Sequence, residues 1–310
     1  MHSMSEALSV PGILFASSLD SSGETGATAF YFPNGASFVY DSRGGSVAAC
    51  ETSLLDPGSY SNVIDALVFA GGSTMGLEAS DGLRKALFLD RTQGKKSVRF
   101  SDIPSVPGAV VYDFGPRLKA PLAYPDSSLG FTLLKEASTI FVSGRAGAGI
   151  NTTANKLQQD GTFFSGQGIS VQKTAWGSLV FAVVLNPLGN IVLEEQDFGA
   201  LFGSKLLHEP PAPRSNTTLS MIYTDIPLSR NQLQRLASSA HAALASCIQP
   251  FHTPFDGDIL FAGALQQDQA EKETVPDAVI LQISTIAVSL AKNAVKKAVL
   301  ISNGKTHLDE

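Results

Sequence analysis

The sequence has little cysteine, little histidine and no basic stripe, and each shortage excludes something. Two cysteines, Cys50 and Cys247, make no disulfide framework in 310 residues. They read as buried thiols of a reducing, cytoplasmic setting. Charged residues are 16% of the chain and the net charge of −6 is spread along it, which argues against nucleic acid as a partner. The one basic cluster, Arg91, Lys95, Lys96 and Arg99, reads as a solvated loop. The five histidines, His2, His208, His241, His252 and His307, are scattered, and none forms a His/Cys pair at ligand spacing, so no metal is expected. No Gly-x-Ser-x-Gly elbow is present, which leaves a Ser-His-Asp hydrolase without its motif. No apolar run approaches the length of a membrane span, so no membrane partner is expected. The start, Met1 to Glu6, lacks a basic n-region and an apolar h-region, and secretion is not indicated.

What is present is 44% hydrophobic residues, enough for one large or two small cores. Ala27 to Phe32 and Ala36 to Tyr40 flank Pro33-Asn34-Gly35, a hairpin signal. The apolar strand Ile64 to Ala70 runs into Gly71-Gly72-Ser73-Thr74 and then a helix from about Met75 to Leu89. Such a turn serves either as an anion cradle at a helix start or as a tight packing turn, and it matches no nucleotide-binding fingerprint. A short strand is expected over Ala109 to Phe114. Ser178 to Leu185 reads as a buried strand, with Ile191-Val192-Leu193 pairing back on it. Leu233, Leu236, Ala237, Ala240, Leu244 and Cys247 fall at helical spacing behind Ser229, an N-cap residue. A last helix, from about Asp277 to Leu300, puts Ile280, Ile283, Ala287, Leu290, Ala291 and Ala294 on one face. Paired strands between a few helices argue for α+β layers rather than a doubly wound sheet.

One stretch concentrates the chemistry. The polar run His208 to Pro213 leads through Asn216-Thr217 into a strand in which Leu219, Met221 and Tyr223 alternate with Ser220, Ile222 and Thr224. Asn216 and Thr217 are ordinary loop and strand-start residues on one reading. On the other, cleavage between them makes Thr217 a new N-terminus whose amine serves as base to its own hydroxyl. A second such tripeptide, Asn151-Thr152-Thr153, shows that the motif alone does not decide. Asp256 and Asp258 stand close together at a strand start, with His252 nearby. They fit a solvated turn, a His-Asp pair, or a carboxylate pair holding an N-terminal ammonium.

Several segments together resemble one family. They are Arg43-Gly44-Gly45, Glu51-Thr52-Ser53-Leu54-Leu55, Asp65 to Ser73, Gly76 to Gly82, Gly147-Ala148-Gly149, Asn186, Asn216-Thr217-Thr218-Leu219 with Thr224-Asp225, and His252 to Asp258. Their order resembles the DmpA-type self-processing aminopeptidase/esterase family, with β-aminopeptidase and nylon-oligomer hydrolase relatives and an ornithine acetyltransferase-like fold. The resemblance implies a single-domain, four-layer αββα sandwich over residues 1–310, cut into an α chain, 1–216, and a β chain, 217–310. It implies no cofactor, and a homo-oligomer of αβ units with a tetramer favoured. It puts Thr217 at the nucleophile, Asn186 at the oxyanion donor, Lys156 at a catalytic lysine, Asp256 and Asp258 at the acidic pair, and Tyr112 near an active-site tyrosine. The implied reaction is hydrolysis of an amide, peptide or ester bond of a small substrate through a Thr217 acyl-enzyme, with aminopeptidase or β-aminopeptidase action leading. Transfer of the same acyl group to an amine is the alternative. Where many members read Lys-Gly-Gly-x-Gly, this chain reads Ser165-Gly166-Gln167-Gly168-Ile169. That segment is expected to reach the pocket, which leaves the family's preference for a free substrate amine open here.

Overall fold

The structure is a computed structural model that describes residues 2–157, 161–193, 216–266 and 275–305. Its central feature is one eleven-stranded ladder. The strands are β1 (Ser3–Ala7), β2 (Leu14–Leu19), β3 (Gly26–Ser42), β4 (Ala49–Cys50), β5 (Val63–Ala70), β6 (Gly108–Val110), β7 (Ile140–Gly144), β8 (Gln167–Lys173), β9 (Ser178–Asn186), β10 (Thr217–Thr224) and β11 (Ile259–Leu265). They run β1-β7-β8-β9-β10-β11-β3-β5-β6-β4, with β2 also on β3. The helices are α1 (Glu78–Thr92), α2 (Ser127–Glu136), α3 (Arg230–Leu244) and α4 (Asp277–Ser302).

Period-two alternation turns this ladder into layers. In β9, Leu179, Phe181, Val183 and Leu185 point to α3 and α4, sharing a core with Leu233, Leu236, Ile283 and Leu290. Their neighbours Val180, Ala182 and Val184 point the other way, into a core shared with Phe15, Phe30, Phe69 and Phe261. A third core joins Ala66, Val68 and Val110 to Leu83, Leu87, Leu129 and Leu133 of α1 and α2. Three apolar interfaces therefore separate four layers, helix–sheet–sheet–helix, which is the αββα sandwich. The middle interface is rich in aromatic edge contacts, such as Phe15 on Phe141 at 5.7 Å between ring centroids and Phe30 on Phe69 at 5.3 Å.

Strand β3 crosses between the two sheet layers, and here the hairpin expectation fails. Residues 27–31 and 36–37 pair with β5, with a register shift between Tyr31 and Ala36, and residues 36–42 pair with β11, all in one continuous strand. Pro33 has no N–H to give a ladder, and Gly35 holds φ +72°, so the Pro-Asn-Gly run makes a bulge and not a turn. Other expectations shift too. Asn190–Ile191 pairs with Ile248–Gln249 and does not fold back on β9. Of the 109–114 segment only Ala109 and Val110 are strand, at the end of Gly108–Val110. Cys50 is half-buried while Cys247 is buried. Arg91 and Lys95 are tied to Asp65 and Asp102 and are not simply solvated.

The helix boundaries follow sequence chemistry. Ser229 caps α3, its hydroxyl accepting from Gln232 N–H while the Gln232 side chain accepts from Ser229 N–H. The 26-residue α4 is long and apolar enough by composition to cross a membrane, which revises the expectation that nothing approached that length. Its Ile283, Ala287, Leu290, Ala291 and Ala294 face the first core, as a sheet-covering helix requires.

Candidate active site

The site forms where β9 ends and β10 begins. The two strands are antiparallel and Asn186 lies directly opposite Thr217. Asn216 and Asp256 form an isolated parallel bridge, which brings the 252–258 turn alongside. Asn186, Asn216, Thr217, Asp256 and Asp258 are all at most 4% exposed.

Lys156 is the hub on the outer side. Its Nζ donates to Asn186 Oδ1 at 2.8 Å, Asn186 O at 2.9 Å and Asn216 Oδ1 at 3.0 Å. Asn186 also accepts Thr153 N–H at Oδ1 and donates from Nδ2 to the Tyr112 carbonyl at 2.9 Å. Tyr112 is thus tied to the set by its main-chain oxygen, and its ring packs 5.2 Å from Phe114. Tyr112, Gly115, Pro116, Thr153, Lys156, Thr162, Asn186 and Asn216 line a cavity of about 430 Å³.

The carboxylates lie behind the strand. Asp258 Oδ1 accepts Thr218 N–H at 2.7 Å, while Oδ2 accepts both the N–H and the Nδ1–H of His252, at 3.0 and 3.2 Å. His252 takes φ +60° to make this two-point contact. Asp256 Oδ1 accepts Leu188 N–H, and its other oxygen accepts the Thr253 hydroxyl. Burial, and then the neighbouring Asp258 charge, push the Asp256 carboxyl above its ordinary value. The His-Asp pair is therefore His252 with Asp258. Behind it His241 stacks edge-on at 4.5 Å and meets Asp41, with burial holding its imidazole below the ordinary value.

The structure also settles the Gly71-Gly72 turn. Gly72 N–H donates to Asp113 Oδ1 and Thr25 Oγ1 to Asp113 Oδ2, each at 2.8 Å, while Arg117 pairs with the same carboxylate. The turn cradles an anion, and the anion is the protein's own. This buried pair anchors residues 112–117, one wall of the cavity.

Seven residues singled out in the sequence thus come together: Tyr112, Lys156, Asn186, Asn216, Thr217, Asp256 and Asp258. The Ser165–Gly168 segment does not reach the cavity. Gln167 is buried in β8, its side chain bonded to Thr28 Oγ1 at 2.6 Å and to the Val142 carbonyl at 2.7 Å. Asn151 binds Arg145 and the Glu24 carbonyl, and Thr152 the Gly149 carbonyl, so these two residues of the second Asn-Thr-Thr are structural, while Thr153 lines the cavity and gives its N–H to Asn186 Oδ1. The 208–215 run and Gln158 to Asp160 lie outside the described residues. Among the described residues no cluster of His, Cys, Asp and Glu is arranged to hold a metal.

Sequence reasoning missed two glycines. Gly257 N–H donates to the Asn216 carbonyl at 2.6 Å. A Cβ on Gly44 would lie 2.3 Å from Asp256 O and Asp258 N, so the Arg43-Gly44-Gly45 segment packs backbone against backbone on the acidic turn. Both sit inside motifs noticed for other residues, and a glycine between two aspartates was the available signal.

The αββα layering is that of the Ntn hydrolase fold, and it carries a threonine buried at a strand start among amide and carboxylate groups. Two solved structures share the fold. The L-aminopeptidase D-Ala-esterase/amidase of Ochrobactrum anthropi, described as a variant of the Ntn hydrolase fold, matches with TM-score 0.71 at 17% identity, over 94% of this chain and 85% of that one. A Burkholderia sp. β-aminopeptidase matches with TM-score 0.68 at 17% identity, over 96% and 88%. The chain belongs to peptidase family S58, whose model matches residues 9–309. A 6-aminohexanoate-oligomer endohydrolase of Kocuria sp. (strain KY2) is 34% identical over 301 residues, covering 90% of this chain and 80% of its own. An uncharacterized aminopeptidase of Mycobacterium bovis is 30% identical over 299 residues, covering 89% and 84%. These relatives are named for hydrolysis, and the acyl-transfer alternative is not favoured.

Proposed function

We propose that the chain cuts itself between Asn216 and Thr217, and that Thr217 then hydrolyses amide bonds of small substrates through an acyl-enzyme. The observation that carries this is the contact at the junction: Thr217 Oγ1 lies 2.5 Å from the Asn216 carbonyl oxygen, in a buried setting. Cleavage frees the Thr217 amine beside its own hydroxyl, the N-terminal arrangement that activates a nucleophile. It also removes the peptide link at Asn216, which lines the cavity, and so joins the nucleophile to that space.

In the mature enzyme a substrate carbonyl enters from the Tyr112 and Lys156 side. Asn186 Nδ2 turns from the Tyr112 carbonyl to the developing oxyanion, and Lys156 holds Asn186 through its Oδ1. The Lys156 cation also favours the neutral, basic form of the Thr217 amine. Asp258 fixes the start of β10 through Thr218 N–H. Aminopeptidase action on short peptides or β-amino amides leads, with internal amide bonds of short oligomers next, as the names of the relatives suggest. Assembly of αβ units into a homo-oligomer, tetramer favoured, belongs to the same proposal. So does a reducing cytoplasmic setting, in keeping with two unpaired thiols.

Intact mass and denaturing electrophoresis test the first step. Wild-type protein is expected as two fragments broken after Asn216, and Thr217→Ala as one. A single uncut species in both refutes self-cleavage. A panel of aminoacyl amides and short oligoamides then tests the second. Turnover that survives Thr217→Ala refutes the nucleophile.

A further inference from the structure

We propose that the main-chain N–H of Gly257 is the oxyanion donor of the self-cleavage step. This rests on the self-cleavage reading above and deepens it. The bond to be cut ends in the Asn216 carbonyl, and among the described residues that oxygen meets Gly257 N–H at 2.6 Å and the Thr217 hydroxyl at 2.5 Å. Asn186, the side chain that the family resemblance makes an oxyanion donor, is occupied elsewhere before cleavage. Its Nδ2 goes to the Tyr112 carbonyl, and its Oδ1 to Lys156 and Thr153 N–H. The uncut chain therefore holds a donor on the scissile carbonyl that is separate from the side chain facing the cavity.

That donor is held in place from both sides. The Asp256 carboxylate accepts Leu188 N–H and its carbonyl accepts Ser46 N–H. The Asp258 carboxylate accepts Thr218 N–H and its carbonyl accepts Arg43 N–H and Gly44 N–H. Fixed at both neighbours, Gly257 N–H needs no reorganisation when charge develops, and burial strengthens what it contributes. The residue type is part of the device. A Cβ at position 257 would lie 2.8 Å from Thr217 Oγ1 and from the Ser46 carbonyl, so glycine lets donor and nucleophile converge on one carbonyl.

In the step itself, Thr217 Oγ1 adds to the Asn216 carbonyl carbon and the carbonyl oxygen becomes an oxyanion on Gly257 N–H. The hydroxyl proton ends on the Thr217 nitrogen as the C–N bond breaks. The product is an ester between Asn216 and Thr217 Oγ1, with a free Thr217 amine. Water hydrolyses the ester, leaving the Asn216 carboxylate and restoring the hydroxyl.

The test removes the N–H and adds no atom beyond the backbone. The full chain is made by cell-free translation with glycolate in place of Gly257, giving a main-chain ester, and the wild-type chain is made the same way. Fragment formation is followed in time. The ester chain is expected to be cut on the order of 10²-fold more slowly, the usual effect of losing one oxyanion donor. A wild-type chain that is cut, beside an ester chain cut at the same rate, overturns this inference alone. A wild-type chain that stays whole overturns the self-cleavage reading and this one with it. A second measurement does not depend on the ester chain folding. In full-length Thr217→Ala labelled with ¹³C at the Asn216 carbonyl and ¹⁵N at Gly257, a through-hydrogen-bond coupling between the two nuclei is expected. Its absence in the folded protein overturns the proposal.

Discussion

Replacing Gly44 by alanine perturbs the site without touching a side chain in it. The added Cβ would stand 2.3 Å from both Asp256 O and Asp258 N, about 1 Å short of ordinary contact, and both neighbours are backbone. Neither can rotate away, so the 43–46 segment must move off the acidic turn. That movement strains four main-chain hydrogen bonds: Arg43 N and Gly44 N to Asp258 O, Gly45 N to Thr253 O, each at 3.2 Å, and Ser46 N to Asp256 O at 2.9 Å. At about 1 kcal/mol for each bond lost and about 1–3 kcal/mol for overpacking, partial relaxation leaves an expected loss of about 2–4 kcal/mol. The measurement is the urea midpoint in a Thr217→Ala background, which holds the cleavage state fixed. Gly58→Ala is the control: nothing lies within 4 Å of its Cβ, so that midpoint should hardly move. With Thr217 intact, Gly44→Ala should also slow chain cutting, because the displaced turn carries Gly257 and Asp258. A Gly44→Ala chain within about 0.5 kcal/mol of its parent and cut at the parent's rate would refute the backbone-contact reasoning.

Three further outcomes are expected. His252→Asn should stay within about 1 kcal/mol of wild type, because asparagine tolerates φ +60° and keeps a donor for Asp258. His252→Ala should lose about 1.5–3 kcal/mol with that charge-assisted bond, and denaturation of both variants checks the pair. Asp256 binds its proton more tightly folded than unfolded, because its carboxyl is raised from 3.8 by burial and by Asp258. Its contribution to stability is greatest below that value and falls as pH rises through the raised one, so Asp256→Asn should flatten the pH–stability curve above 3.8, followed by melting temperature across pH. Arg117→Met strands a buried carboxylate behind the cavity wall and should cost about 3–5 kcal/mol, with a raised KM for any amide substrate turned over.

Much of the fold was legible because burial repeats along the chain with the period of the element. The α3 stripe from Leu233 to Leu244 with its Ser229 cap, the alternation of Leu219, Met221 and Tyr223, and the buried run of β9 all stand as read. The Pro33 to Gly35 run was misread for a physical reason. A bulge and a hairpin use the same residues, and only the partners of the flanking strands tell them apart.

The sequence by itself determined which residue types were available for chemistry and which elements would carry them: Asn216-Thr217 before a buried strand, a lysine, an asparagine at a strand end and an acidic turn. Only the tertiary structure decided what each group touches. The antiparallel register sets Asn186 opposite Thr217, and the Asn216–Asp256 bridge brings Gly257 N–H onto the Asn216 carbonyl. The anion in the Gly71-Gly72 turn proved to be Asp113, supplied from 41 residues away. Local pattern follows from one chain's periodicity, whereas a hydrogen bond between distant segments exists only once packing has fixed where each backbone lies.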